Sequence, residues 1–316
     1  MINIHRAKAS DRLMKALTGL TVGEFSGLVR SFSYHLTVTF TTVRKVNPAL
    51  GTPPTLKTAE EKLFYILFYF KCYPTFDLAG WIFGVNRSTC CRWTHWYMEA
   101  LQRTLQKKLL LPKRKIRTAA ELFRMCPEIK AICIDGTDLL ARIAQARRTR
   151  RRPQDPHTQK MYYSGKKKRH TVKNLVIATT DKTVLVLSPT REGKAHDYSI
   201  FKDEDIGNVL PEELPVGVDR GFQGIEKDFP HLLARIAQAS LTVVMPQKKP
   251  KRKELSQKDT RRNKDISSLR VCVEHAIAGV KRFRIVSDVY RNLKRGCEDT
   301  VMEIACGLWN YHLKKA

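Results

Sequence analysis

Apolar residues recur with helical period in the first third of the chain and fall into short β-rich runs beyond its middle. Leu13, Leu17, Leu20, Phe25, Leu28 and Phe32 stand about three or four residues apart, which predicts an amphipathic helix or helix pair over residues 13–34. Thr21-Val22-Gly23-Glu24 has the spacing of a capping box, so a helix is expected to restart there. Pro48, Gly51, Pro53 and Pro54 cannot continue a helix and read as a linker. Thr58-Ala59-Glu60-Glu61 is a second capping box, and Leu63, Phe64, Leu67 and Phe70 follow with helical period until Tyr73-Pro74 stops it. A short helix from about Thr75 to Phe83, a turn through Gly84, Val85 and Asn86, and a basic helix opening at Arg87 complete a helix-turn-helix pattern.

Past about Glu128 the period shortens. Strands are expected at Ala131–Asp135, Thr171–Thr179, Thr183–Leu187, Val216–Asp219 and Leu241–Met245. A long helix around Lys264–Phe283 and a closing helix at Val301–Leu313 then imply an α/β layer built on a central mixed sheet, so the fold class is α+β or α/β behind a helical N-terminal region. The basic stretch Gln106–Arg117 reads as a solvated linker between the two parts. One eight-residue string occurs twice, Leu139–Ala146 and Leu232–Ala239. Two copies in different contexts do not make a solenoid, and they read as surface insertions with helical propensity.

Charge changes the picture. Lys and Arg number 58 against 30 Asp and Glu in 316 residues, a formal charge of +28, which calls for a large polyanionic partner. No apolar run approaches the roughly 20 residues that span a bilayer, and the N-terminus has no signal-peptide core. Basic residues spread through the chain favour a groove that follows a phosphate backbone, hence nucleic acid. Arg87, Ser88, Thr89 and Arg92 are then the residues expected to face a major groove, with Trp93 and Trp96 in the core; the rival reading is a helix pair that binds nothing. The eight cysteines form no CxxC pair and fall largely in apolar stretches, which argues against zinc and for a reducing cytoplasm.

The acidic residues carry the chemistry. Asp135 closes an apolar strand and precedes Gly136; Asp219 repeats the arrangement in Val216-Gly217-Val218-Asp219-Arg220-Gly221. Glu274 sits on the expected long helix, one turn after Arg270 and two turns before Lys281, so the three can share a face. Carboxylates from separate elements are what Mg²⁺, a hard cation that retains several waters, takes in a two-metal site. Taken singly, a strand-end Asp-Gly is equally a turn, and Arg270 with Glu274 equally a surface pair worth about half a kcal/mol at most. Asp197, before Tyr198-Ser199-Ile200-Phe201, reads as a helix N-cap.

These residues together resemble the DDE transposases of bacterial insertion sequences, in particular the branch typified by the fifth insertion sequence. The resemblance rests on the helix-turn-helix within Leu67–Leu101, Asp135-Gly136-Thr137, Arg152-Pro153-Gln154-Asp155, Tyr162–His170, His196-Asp197, Asp219-Arg220-Gly221-Phe222 and the run from Arg270 through Glu274 to Lys281-Arg282-Phe283. It implies a helical region and linker (1–55), a helix-turn-helix DNA-binding domain (56–105), a basic linker (106–127) and an RNase H-like catalytic domain (128–316) carrying the two insertions. Asp135, Asp219 and Glu274 would be the catalytic, metal-holding triad for two Mg²⁺ or Mn²⁺ ions. Lys166, Lys167, Lys168, Arg169, Arg270 and Lys281 would contact DNA. Of the signature Tyr-x2-Arg-x3-Glu-x6-Lys the chain keeps Arg270, Glu274 and Lys281 but has Ser267 at the tyrosine position.

The implied activity is cutting of double-stranded DNA at terminal inverted repeats and joining of the 3′ ends to target DNA. The implied setting is cytoplasmic and nucleoid-associated, with at least a homodimer in the reaction complex. Two rivals come from other classes: a catalytically impaired, transposase-derived DNA-binding protein, and a metal-dependent endonuclease that cuts without joining. The repeat copies bear on the choice, because both fall beside the acidic residues.

Overall fold

The computed structural model describes residues 4–43, 55–125, 132–139, 155–164, 168–210, 216–217, 222, 224–230, 243–244, 271, 273–292 and 296–315. They divide into two compact units. The first holds Met1–Leu111, Val280–Asp288 and Thr300–Ala316, and the second Pro112–Gly279 and Val289–Asp299.

Helices make up the first unit. α1 (Ile4–Lys8) and α2 (Asp11–Thr18) lead to Gly19, whose φ of 80° ends α2 in the left-handed region. α3 (Val22–Val43) opens on the expected capping box: the Thr21 amide donates to Glu24 Oε2 at 2.7 Å, and the Glu24 amide to Thr21 Oγ1 at 3.1 Å. Glu24 is buried, and His312 Nδ1 lies 2.6 Å from its other oxygen, so the cap also ties the N-terminal helices to the last one. α4 (Ala59–Cys72) opens on the second capping box, with Thr58 and Glu61 bonded reciprocally. α5 (Phe76–Phe83), capped by Thr75 and ended by Gly84 at φ 68°, and α6 (Arg87–Lys107) follow, so the helix-turn-helix forms where the pattern placed it.

The second unit begins with a difference from the sequence expectation. The basic stretch after α6 is not a plain linker, because α7 (Ala119–Met125) forms within it and buries Leu122. Lys113 also docks by its backbone, its amide donating to the Leu185 carbonyl at 2.8 Å and its carbonyl accepting from the Leu187 amide at 2.9 Å. Those strand-edge groups need partners, and the linker supplies them.

The sheet is built from β1 (Ile132–Leu139), β4 (Val172–Thr179), β5 (Val184–Leu187), β6 (Arg191–Glu192), β7 (Val216–Gly217) and β8 (Val243–Val244). A small hairpin of β2 (Tyr163–Ser164) and β3 (Arg169–His170) follows α8 (Pro156–Tyr162). The strand order is β5-β4-β1-β7-β8, with β6 also paired to β4. β4 is antiparallel to β1 and β5, whereas β7 is parallel to both β1 and β8, so β1 stands where an antiparallel half meets a parallel half. β4 is buried almost throughout, as a strand with neighbours on both edges should be. α9 (Asp197–Asp203), α10 (Ile206–Val209) and α11 (Ile225–Asp228) cover one face, where Phe201 meets Phe222 and Phe229 edge-on at 5.7 and 5.5 Å.

Two sequence expectations change here. β1 does not stop at Asp135 but runs through Gly136 to Leu139, because the eight residues of β4 offer it a full antiparallel partner. Asp197 is the first residue of α9 and not its cap; His196 holds that position, and Asp197 pairs with Lys173 at 3.2 Å. Of the two repeat copies, Leu139 ends β1, and the remaining residues lie outside the described ones. After α12 (273–281) come α13 (Arg284–Ser287) and α14 (Cys297–Lys315).

Candidate nucleic-acid interface and acidic site

The recognition segment of α6 is held by an aromatic core. Tyr65 on α4 is fully buried; its hydroxyl donates to the Cys90 carbonyl at 2.9 Å and lies 3.1 Å from Thr94 Oγ1. Burial pushes that phenol far above its ordinary value, so it stays a donor. Its ring meets Phe83 and Trp93 edge-on at 5.0 and 5.4 Å, which locks α5 and α6 onto α4. Gly80 permits the tight turn, since a Cβ there would lie 2.5 Å from the Val85 carbonyl oxygen. Trp93 is therefore core, as expected, and Trp96 is half-buried.

On this frame Arg87, Ser88 and Arg92 are exposed and Thr89 is half-buried. Arg92 donates to Thr89 Oγ1 at 3.2 Å, and Arg87 lies 3.9 Å from Asp77 with both side chains about 70% exposed. So exposed a pair is worth little and leaves Arg87 available to a stronger anion. Asn86 makes no side-chain cap; its carbonyl accepts from the Thr89 and Cys90 amides at 3.0 and 3.2 Å.

In the second unit Asp135 lies on β1, in register with Val176 of β4. On the other edge of β1 the parallel ladder pairs Ile132 with Val216 and Cys133 with Gly217, and goes no further among the described residues. Asp135 thus follows its registered pair by two residues. Asp219 follows Gly217 by the same interval in sequence and lies outside the described residues, as do Lys166, Lys167 and Arg270. Glu274 is exposed on α12, opposite the buried face of Val273, Ala276, Ile277 and Val280. Lys281, two turns on and counted in the first unit, is half-buried; Lys168 of the second unit is exposed with φ 49°, and Arg169 lies in β3.

Several polar contacts of this unit escaped sequence reading. Asp299, in the first turn of α14, accepts from Arg114, from the Thr190 amide at 3.0 Å and from Thr190 Oγ1 at 2.7 Å. In the sequence Glu298-Asp299 signals only acids favoured near a helix N-terminus. Glu204, largely buried, holds Arg191 at 2.8 Å, and the Tyr198 hydroxyl with Lys202 holds the Asp228 carboxyl below its ordinary range.

Among the described residues no helix is long and apolar enough to cross a membrane. Residues 54–107 match the helix-turn-helix of DDE superfamily endonucleases, and residues 147–310 match the DDE superfamily endonuclease family. A probable transposase for insertion sequence element IS702 from Microchaete diplosiphon is 28% identical over 302 residues, covering 95% of this chain and 96% of that protein. No solved structure matches the chain. The resemblance drawn from the motifs holds, and the chain belongs to the DDE superfamily of endonucleases, of the kind found in insertion-sequence transposases.

Proposed function

We propose that the protein is a DNA transposase that cuts at the terminal inverted repeats of its element and joins the 3′ ends to target DNA, with Asp135, Asp219 and Glu274 as its acidic triad. The observation that carries this reading is the parallel register of β1 and β7. Asp135 follows the registered Cys133–Gly217 pair by two residues along β1, and Asp219 follows Gly217 by the same interval in sequence. β1 is flanked by antiparallel β4 on one edge and parallel β7 on the other, so Asp135 lies on a central strand of the sheet. The same joining of antiparallel and parallel halves supports an RNase H-like reading of residues 128–316.

The donor set suits hard divalent cations: three carboxylates, of which Asp135 lies on β1 and Glu274 is exposed on α12. Bound there, two Mg²⁺ or Mn²⁺ ions would supply charge neutralisation at the scissile phosphate and activation of the attacking oxygen. The chain's own residues orient the substrate. Arg87, Ser88, Thr89 and Arg92 read and anchor the terminal repeat, and the run Lys166–Arg169 with Arg270 and Lys281 neutralises phosphates near the acids. Two DNA ends brought together require at least two copies of the chain in the reaction complex, which would act in the cytoplasm at the nucleoid.

The test is strand transfer of labelled terminal-repeat DNA by the full chain and by Asp135→Asn, Asp219→Asn and Glu274→Gln, with Mg²⁺ or Mn²⁺. Joined products from the wild type, abolished in all three variants, are expected. Binding with no metal-dependent product would mark a DNA-binding derivative, and cut ends that never join would mark an endonuclease.

A further inference from the structure

The far end of α6, away from the turn at Gly84–Asn86, carries a second basic surface. Lys107 Nζ sits 5.0 Å above the ring of Tyr34 on α3, and that ring is 60% exposed. Arg30 is exposed one turn before Tyr34, and Lys108 is exposed beside Lys107. Arg103, one turn before Lys107, is held by Glu99 at 2.8 Å. Among the described residues Arg30, Lys107 and Lys108 form no ion pair, so the charge of the patch is not cancelled. His35, edge-on to Tyr34 at 5.1 Å, is kept below its ordinary pKa by burial and by the positive charge of Lys107 and Arg103, so near neutral pH it neither adds to nor offsets that field.

A lysine parked over an aromatic face is held in place before any ligand arrives, which lowers the ordering cost of gripping one. Exposed aromatics interleaved with cations are the pattern that grips a nucleic-acid backbone. The patch is also fixed relative to the recognition turn, because both lie on one continuous helix of 21 residues whose Leu101, Thr104 and Leu105 are buried. That places the patch about 30 Å from Arg87 at the α-helical rise. A major groove is about 12 Å wide and 8.5 Å deep, so the groove that takes the recognition turn cannot also take this end.

We propose that Arg30, Tyr34, Lys107 and Lys108 form a second contact for the phosphate backbone of duplex DNA, separate from the recognition turn. The inference rests on the reading of the helix-turn-helix as a DNA-binding element. The phosphates belong either to the same duplex about one helical turn away, roughly 34–36 Å, or to a second duplex.

The experiment measures the binding of arbitrary-sequence duplexes of 12 and 40 base pairs to the full chain across a salt series. It compares wild type, Arg30→Ala/Lys107→Ala/Lys108→Ala, and Arg87→Ala/Arg92→Ala, with thermal unfolding as the fold control. Removing the patch should weaken binding and reduce the slope of log K against log salt by about 0.9 for each phosphate that the variant fails to neutralise. If the patch grips the same duplex, wild type gains affinity with length and the triple variant does not. If it grips a second duplex, wild type co-captures two differently labelled duplexes and the triple variant does not. A triple variant with wild-type affinity, slope and co-capture overturns the proposal, even while the Arg87→Ala/Arg92→Ala variant binds poorly. A wild type that binds no duplex removes the DNA-binding reading itself, and the second contact with it.

Discussion

The helix-turn-helix and the mixed sheet both position a few polar side chains, but they draw on different kinds of information. In the first, neighbours in sequence do the work: Thr58 and Glu61 start α4, Thr75 and Gly84 bound α5, and Gly80 lets the turn close on itself. The buried Tyr65 reaches 25 and 29 residues along the chain, to Cys90 and Thr94. In the second, the decisive contacts are distant ones. β1 pairs with β4 and β7, and Asp299 reaches back to Arg114 and Thr190. A helix-turn-helix can thus be specified largely locally, whereas a mixed sheet must be assembled by register.

The largest expected effect tests the buried aromatic anchor of the helix-turn-helix. Tyr65→Ala empties a fully buried aromatic site and removes two hydrogen-bond partners, so a destabilisation of about 3–5 kcal/mol is expected, with DNA binding falling alongside stability. Denaturant unfolding followed by helical circular dichroism measures it, and a change below about 1 kcal/mol would show that the local signals suffice without the anchor. In the second unit, Asp299→Ala strips the shared acceptor from Arg114 and Thr190. Their ion pair is 31% and 35% exposed, so the expected destabilisation is the smaller one of about 1–2 kcal/mol, read as a shift in the melting of that unit. The smallest effect belongs to Thr58→Ala, about 1 kcal/mol for removal of the cap, with Thr58→Ser restoring it. If Thr58→Ala instead unfolded the helix-turn-helix, the local signals would be carrying more than a cap can explain.

How much of this was legible follows the same division. Both capping boxes, the glycine that ends α5 and the strands β4 and β5 emerge from periodicity and turn chemistry, because their causes lie within a few residues. The course of β1 through Gly136 does not. An Asp-Gly pair at the end of an apolar run reads as a turn until a long antiparallel partner is known to lie alongside. α7 was hidden for a related reason: its stretch is basic and broken by Pro112, and only the burial of Leu122 against the sheet makes a helix there worthwhile. At the candidate site the sequence offers Asp135, Asp219 and Glu274 in that order, and the role proposed for them rests on that order and on the family resemblance. What no pattern could supply is the register of β1, which pairs Asp135 with Val176 and sets it two residues beyond the Cys133–Gly217 pair.

That register is the centre of the account, and divalent-ion binding tests it most directly. Mn²⁺ is titrated calorimetrically into the full chain with a duplex present, beside Asp135→Asn, Asp219→Asn and Glu274→Gln. The account predicts that each single variant weakens Mn²⁺ binding at least about tenfold while keeping wild-type stability, because each removes one ligand of a shared site. Wild-type Mn²⁺ binding in all three variants would contradict it, since the acids would then hold no common ion.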